Sequence, residues 1–382
     1  MSIFDTIPDR RASESVKWNA YPPDVLPLWV ADMDFPAPPQ VLEALRKRLT
    51  HGVLGYPTEP PGAREAVVGW LERRYGWRVA PESLVFIPGV VTGVNLALQV
   101  FTRPGDGVVV QTPVYRPILE AAGRNGRLRR EAPLHRDPTG RYRVDGAAFE
   151  AAFTPETRAF VLCNPHNPVG RVFRREELEG MAEACLRHDA LIVSDEIHGD
   201  LLFAGERHIP IASLSPEVAA RTVTLLAPSK TFNMAGLKAS VAVIPDKGMR
   251  ERFAAGFPGV VGKVNLLGML ALETAYRSGD AWLDEVLAYL QANRDFLIGY
   301  TQKYLPGIRV YPPEGTFLAW LDCRKCGIQG NPARFFLEQA RVALNDGEWF
   351  GPGGEGFVRL NFATSRAVLH EALERMRAAL EG

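Results

Sequence analysis

Short apolar runs without polar alternation recur through the middle of the chain, and most are followed by a helical pattern. "SLVFI" (83–87), "GVVVQ" (107–111), "RAFVLC" (158–163), "ALIVSDEI" (190–197), "TVTLL" (222–226) and "KASVAVI" (238–244) all have this form. A strand with one wet face alternates polar and apolar residues, whereas a strand covered on both faces does not. Segments between them, such as "VTGVNLALQVF" and "YRPILEAAGR", read as helices. Another spaces Leu178, Met181, Ala182, Cys185 and Leu186 on one helical face. This order predicts an α/β fold: a mostly parallel sheet with helices on both faces.

After about residue 280 the pattern changes. A long helical segment, "AWLDEVLAYLQANRDFLIGYTQKY", leads into short strands "GIRVY", "TFLAWL" and "GFVRLNF". We therefore expect a large domain over 46–280 and a smaller α+β domain over 281–382. A Pro-rich N-terminal segment over 1–45 is expected to pack with the small domain.

In a parallel sheet of this kind ligands bind beyond the carboxyl ends of the strands. Those ends carry the polar residues here. "PGVVTG" follows Ile87, "TPVY" follows Gln111, "NPHNPVG" follows Cys163, "SDEIHGD" follows Val193 and "APSKTFN" follows Leu226. Five such ends predict one shared site. Lys230 stands among small and apolar neighbours, where burial would lower its pKa and free its amine as a nucleophile. Otherwise it is a solvated loop lysine. Asp195 closes a strongly apolar strand, so its carboxylate needs a partner. A pyridinium nitrogen would serve, as would a helix N-cap or a salt bridge. Asn167 could bond a ligand oxygen or simply build a turn. "PGVVTG" opens a helix whose amides could hold a phosphate. Tyr115 could stack on a planar ring or pack in the rim. Arg359 is a charge within an apolar strand, and calls for a carboxylate from the protein or a substrate.

Composition narrows the class. Lys+Arg and Asp+Glu are equal at 44 each, which gives no support for nucleic-acid or anionic-membrane binding. No run approaches the roughly 20 apolar residues of a membrane span, and the polar N-terminus lacks a signal-peptide core. A cytoplasmic protein is expected. Of the cysteines Cys163, Cys185, Cys323 and Cys326, the last two form "CRKC", with no second pair and no histidines at finger spacing. They read as reduced structural thiols, and no metal site is expected.

The ordered set "PGVVTG", "TPVY", "NPHNPVG", "SDEIHGD", "SKTFN" and "VRLNFA" resembles the fold-type I pyridoxal phosphate enzymes of the class I/II aminotransferase superfamily. "VKWN", "LPLWVADMDFPAP", "GVLGYP", His198 and "SKTFNMAGL" resemble its cystathionine β-lyase, or C–S lyase, branch. The resemblance implies pyridoxal 5'-phosphate as cofactor. Lys230 would bind it covalently and later move the Cα proton. Asp195 would pair with the ring nitrogen, Asn167 would bond the phenolic oxygen, and His198 sits where typical aminotransferases place a tyrosine for that oxygen. Tyr115 would stack on the ring. The amides of Val90 and Val91, with Ser229 and Lys238, would bind the phosphate. Arg359, with backbone near Ala31, would hold the substrate carboxylate. Tyr56 would reach the neighbouring subunit's phosphate, which implies a homodimer. Ala227 and Lys238 stand where many relatives have Ser and Arg, and a lysine meets a phosphate as a point charge, without a bidentate fork.

The implied reaction is α,β-elimination of cystathionine or a related S-substituted cysteine, giving thiol, pyruvate and ammonia. Transamination with a 2-oxo acid is the alternative. A cofactor-binding regulator of the same superfamily would carry an N-terminal DNA-binding domain, and this chain begins almost at once with the enzyme-like segment.

Overall fold

The computed structural model describes residues 2–382. In chain order its principal strands are β1 (Leu26–Pro27), β2 (Leu84–Ile87), β3 (Gly107–Val110), β4 (Leu128–Glu131), β5 (Thr157–Cys163), β6 (Leu191–Asp195), β7 (Thr222–Leu226) and β8 (Ser240–Val243). They are followed by β9 (Arg309–Val310), β10 (Leu318–Asp322), β11 (Val342–Ala343), β12 (Asn345–Asp346) and β13 (Phe357–Asn361). The longer helices used below are α1 (Pro39–Thr50), α2 (Ala63–Tyr75), α3 (Val90–Phe101), α4 (Arg116–Arg124), α5 (Arg175–Arg187), α6 (Leu266–Ser278), α7 (Asp280–Tyr304) and α8 (Arg366–Glu381).

Seven strands make one sheet in the order β2-β8-β7-β6-β5-β3-β4. Only β8 runs antiparallel to its neighbours, β2 and β7. The others are parallel, as the unalternated apolar sequences of β3, β5, β6 and β7 predict, with the polar strand β4 at the edge. Strands β3, β6 and β7 are buried at every position. The expected strand over 238–244 is shorter than its apolar run: β8 begins at Ser240. Lys238 ends a one-turn helix in the left-handed region, at φ +46°. It therefore sits on a turn at the sheet's edge and does not begin the strand.

The turn from β2 into α3 is set by two glycines. Gly89 takes φ +116°, a conformation side chains resist. A Cβ on Gly93 would lie 2.5 Å from Ile87 Cδ1 and 2.7 Å from Leu225 Cδ2, so its absence lets α3 lie close on β2 and β7. The first turn of α3 is thereby aimed along the carboxyl ends of the strands.

A second sheet, β9-β10-β13-β12, is antiparallel throughout. It is accompanied by α8 and by the 25-residue helix α7. From the N-terminal segment, β1 pairs in parallel with β11, which directly precedes β12. Helix α1 runs through residue 45 and packs on α6. A boundary at 45 would cut that helix, so the part of the N-terminal segment that pairs with β11 ends before Pro39.

Candidate active site

The carboxyl ends of the large sheet, the strand β13 and the chain around Trp29–Ala31 together enclose a cavity of about 570 Å³. Every site residue expected from the sequence lines it except Tyr56. Tyr56 stands fully exposed, at 107% of its reference area, on the irregular stretch between α1 and α2.

Arg359 enters from β13, where it lies opposite Trp320 and Asn345. It is 3% exposed. Nη1 donates to Asn167 Oδ1 at 3.0 Å and Nη2 donates to the Trp29 carbonyl at 2.7 Å and to Asn345 Oδ1. The guanidinium also lies over the Phe350 ring at 4.9 Å, and its Nε has no partner. Among the described residues no carboxylate pairs with it. Burial pushes its pKa down to about 10. A buried guanidinium held by neutral acceptors alone is a strong site for an incoming anion.

Lys230 lies on the turn Pro228–Thr231 directly after β7. Its Nζ donates to the Ala31 carbonyl at 2.6 Å. Burial, with Arg359 nearby, lowers its pKa to about 8, against the opposing pull of Asp32 and Asp195. Asp195, last residue of β6, accepts one bond from the Ile197 amide at 3.1 Å. Burial raises its carboxyl to about 7, and neighbouring Glu196 adds to the rise. Glu196 turns the other way, as strand geometry requires. It accepts from Ser194 Oγ at 2.8 Å and the Ile211 amide at 3.2 Å, with His208 Nε2 at 2.8 Å. Asp195 alone faces the cavity.

Around these three groups sit neutral ones. His198 is buried, its Nδ1 is unpartnered, and burial holds its pKa well below the usual value. Tyr115, whose pKa burial raises, presents its ring beside Trp349 at 5.9 Å. The Tyr115 amide donates to the Asn167 carbonyl at 3.0 Å, which ties the β3 and β5 ends together. At the far end, the first turn of α3 with Val90 and Val91 faces Ser229, Lys238 and Ser240. A 12-residue helix opening on free amides, with a cation and two hydroxyls beside it, has the donors and charge that suit an anion.

The sequence reading had not singled out the strap Trp29–Phe35 as a bridge between domains. Asn361 Nδ2 donates to the Val30 and Asp32 carbonyls, each at 2.6 Å. On the other side Asn233 Nδ2 donates to the Met33 and Phe35 carbonyls at 2.9 and 2.6 Å, and its Oδ1 accepts from the Met33 amide at 3.0 Å. Buried Asp34 is held by Lys17, Arg10 and the Trp18 indole. Both asparagines stood inside quoted motifs, "VRLNFA" and "SKTFN", but their partners are some 200 and 330 residues away in sequence. Cys163, Asn345 and Trp349 also line the cavity unannounced. Cys323 and Cys326 lie away from it, unbridged.

Residues 23–376 match the family model "Aminotransferase class I and II". The chain belongs to that family. It is 43% identical to cystathionine beta-lyase PatB of Bacillus subtilis (strain 168) over 99% of each chain. It is 36% identical to the cystathionine beta-lyase of Corynebacterium glutamicum, over 99% of this chain and all of that one. Cystalysin from Treponema denticola, solved with pyridoxal 5'-phosphate, superposes with a TM-score of 0.95 at 34% identity, covering 100% of this chain and 99% of its own. Fold-type I architecture is thus shared along the whole length.

A larger cavity of about 840 Å³ beside Pro57, Arg64, Phe86 and Met269 contains none of the groups described above.

Two outcomes follow from the charges. In cofactor-free protein Lys230 should add to a small aromatic aldehyde such as pyridoxal with a half-maximal rate near pH 8, since the neutral amine is the nucleophile and its pKa is lowered to about 8. Rates measured from pH 6 to 11 check this; a midpoint near the ordinary lysine value contradicts it. Asp195 has a raised folded-state pKa, so its ionisation costs stability as pH rises from about 4 to about 7. Asp195→Asn should therefore stabilise the cofactor-free protein at pH 8, by at most roughly 4 kcal/mol, with little effect at pH 4. Urea unfolding at the two pH values measures the difference.

Proposed function

We propose that this chain is a pyridoxal 5'-phosphate-dependent C–S β-lyase acting on cystathionine or a related S-substituted cysteine. The observation that carries the reading is the set of unmatched buried charges. Among the described residues Arg359 has no protein anion and Asp195 no protein cation within salt-bridge reach, and a lysine with a lowered pKa lies between their fields. A pyridinium nitrogen fits Asp195, and a substrate α-carboxylate fits Arg359. The helix amides at Val90 and Val91, with Ser229 and Lys238, fit a phosphate. Relatives whose names specify cystathionine β-lyase support the substrate class.

When bound, the cofactor supplies a protonated ring that accepts negative charge from the substrate's Cα. The chain's own residues do the rest. Asp195, as a carboxylate, would keep the ring nitrogen protonated. Asn167 and His198 would bond the phenolic oxygen, and Tyr115 would stack on the ring. Arg359 fixes the substrate carboxylate, which orients the Cα–H toward Lys230. Lys230, once its amine is free, takes the Cα proton, a step that requires the neutral amine and so favours its lowered pKa. The Cβ–S bond then breaks and the electron pair leaves with sulfur as thiolate. Addition of one water to the remaining fragment releases pyruvate and ammonia.

A second copy of the chain completes the proposed site. Val53, Leu54, Tyr56 and Val260 are exposed apolar side chains, and Val91 is exposed at the cavity mouth. A homodimer would cover them and bring Tyr56 to the neighbouring phosphate end. Among the described residues no helix is long and apolar enough to cross a membrane. Four unbridged cysteines suit a reducing cytoplasm.

Supplied with cystathionine and no 2-oxo acid, the purified holoenzyme should release pyruvate and thiol over many turnovers. One half-turnover that stops and leaves the amine form of the cofactor would instead assign transamination. Lys230→Ala should lower turnover by at least about 10³-fold and remove the visible absorbance of lysine-bound cofactor. Retention of both would overturn the proposed role of Lys230.

A further inference from the structure

"SDEIHGD" and "SKTFN" contain two residues that the reaction above leaves unused, Asp200 and Thr231. The fold places them in contact: Thr231 Oγ1 donates to Asp200 Oδ2 at 2.8 Å. The other carboxylate oxygen, Oδ1, accepts from the Trp70 indole at 3.0 Å and from the Tyr75 hydroxyl at 2.5 Å. All four side chains are buried. Among the described residues no cation pairs with Asp200. A buried carboxylate satisfied only by neutral donors is costly to assemble, and each donor is held firmly in return.

The division between the two oxygens is informative. Oδ1 anchors the carboxylate to α2 through Trp70 and Tyr75. Oδ2 is given to Thr231, the residue directly after Lys230. Pro228–Thr231 is a single turn, closed by the Phe232 amide on the Pro228 carbonyl at 2.8 Å and by the Met234 amide on the Ser229 carbonyl at 3.0 Å, and Thr231 supplies its side-chain bond to the core. Its opposite flank is held by Asn233 on the strap. Adjacent residues on a turn project differently, so Thr231 enters the core while Lys230 enters the cavity.

We propose that Asp200 is a positioning residue for Lys230: through Thr231 it fixes the azimuth of the lysine turn, and so the reach of Nζ toward the cofactor carbonyl and the substrate Cα–H. The inference rests on the reading that Lys230 carries the cofactor. A displacement of about 1 Å in a reacting group can cost roughly 100-fold in rate.

Thr231→Val removes the hydroxyl at nearly constant volume, Thr231→Ala is a second variant should valine fail to fold, and Thr231→Ser keeps the bond. Tyr75→Phe removes a different donor from the same carboxylate and serves as the structural control. The readouts are kcat and KM on cystathionine, the rate at which cofactor-free protein gains lysine-bound absorbance on adding pyridoxal 5'-phosphate, and the melting temperature. For Thr231→Val or Thr231→Ala we expect kcat to fall by roughly 10- to 100-fold with KM within about threefold, and slower absorbance gain. Thr231→Ser should restore both. Tyr75→Phe should lower the melting temperature while keeping kcat within about threefold of the parent. Wild-type kcat and reconstitution rate in the folded Thr231→Val or Thr231→Ala variant would overturn the proposal. So would an equal kcat loss in Tyr75→Phe, which would make Asp200 a general anchor. Lys230→Ala run alongside separates the two readings. Lysine-bound absorbance retained there removes the premise, whereas its loss with an unaffected Thr231→Val defeats only the positioning claim. Should cystathionine not be turned over, the reconstitution rate still decides.

Discussion

The site is organised around charges that the protein buries without neutralising. Arg359 receives carbonyl and amide oxygens but no carboxylate. Asp195 receives one backbone amide. Lys230 receives one carbonyl. Each of these is unfavourable in the empty protein, and burial moves all three pKa values toward the neutral form. A ligand that brings a cation to Asp195 and an anion to Arg359 relieves both penalties at once. Binding and the tuning of Lys230 are then consequences of one electrostatic arrangement.

That arrangement needs a scaffold that holds the charges apart, because Lys230 and Asp195 in free contact would simply pair. The large sheet provides it. Asp195 ends β6 and Lys230 lies just beyond β7, so adjacent parallel strands deliver them to the same edge at fixed spacing. Arg359 comes from a different sheet. The strap Trp29–Phe35 joins the two, bonded by its carbonyls to Arg359 and Asn361 on one side and to Lys230 and Asn233 on the other. Asp200 and Thr231 stiffen the remaining side of the lysine turn.

Much of this was legible in the sequence because buried strands and their polar ends are local signals. Unalternated runs placed β2, β3, β5, β6 and β7, and the residues directly after them proved to line one cavity. Lys238 was misplaced for a physical reason: it takes a left-handed turn conformation two residues before β8 begins, and hydrophobicity does not register φ. The clamps formed by Asn233 and Asn361 could not be read, since each depends on a partner from the far end of the chain. The same holds for Asp200, whose three donors come from α2 and the lysine turn. Tyr56 is exposed and lies apart from the cavity of its own chain.

The central claim is that Lys230 is the residue the buried charges exist to serve. Borohydride reduction of the holoenzyme followed by peptide mass mapping tests it directly. The account predicts one stable pyridoxyl adduct, on the peptide containing Lys230. An adduct on Lys238 or another lysine, with Lys230 unmodified, would contradict it.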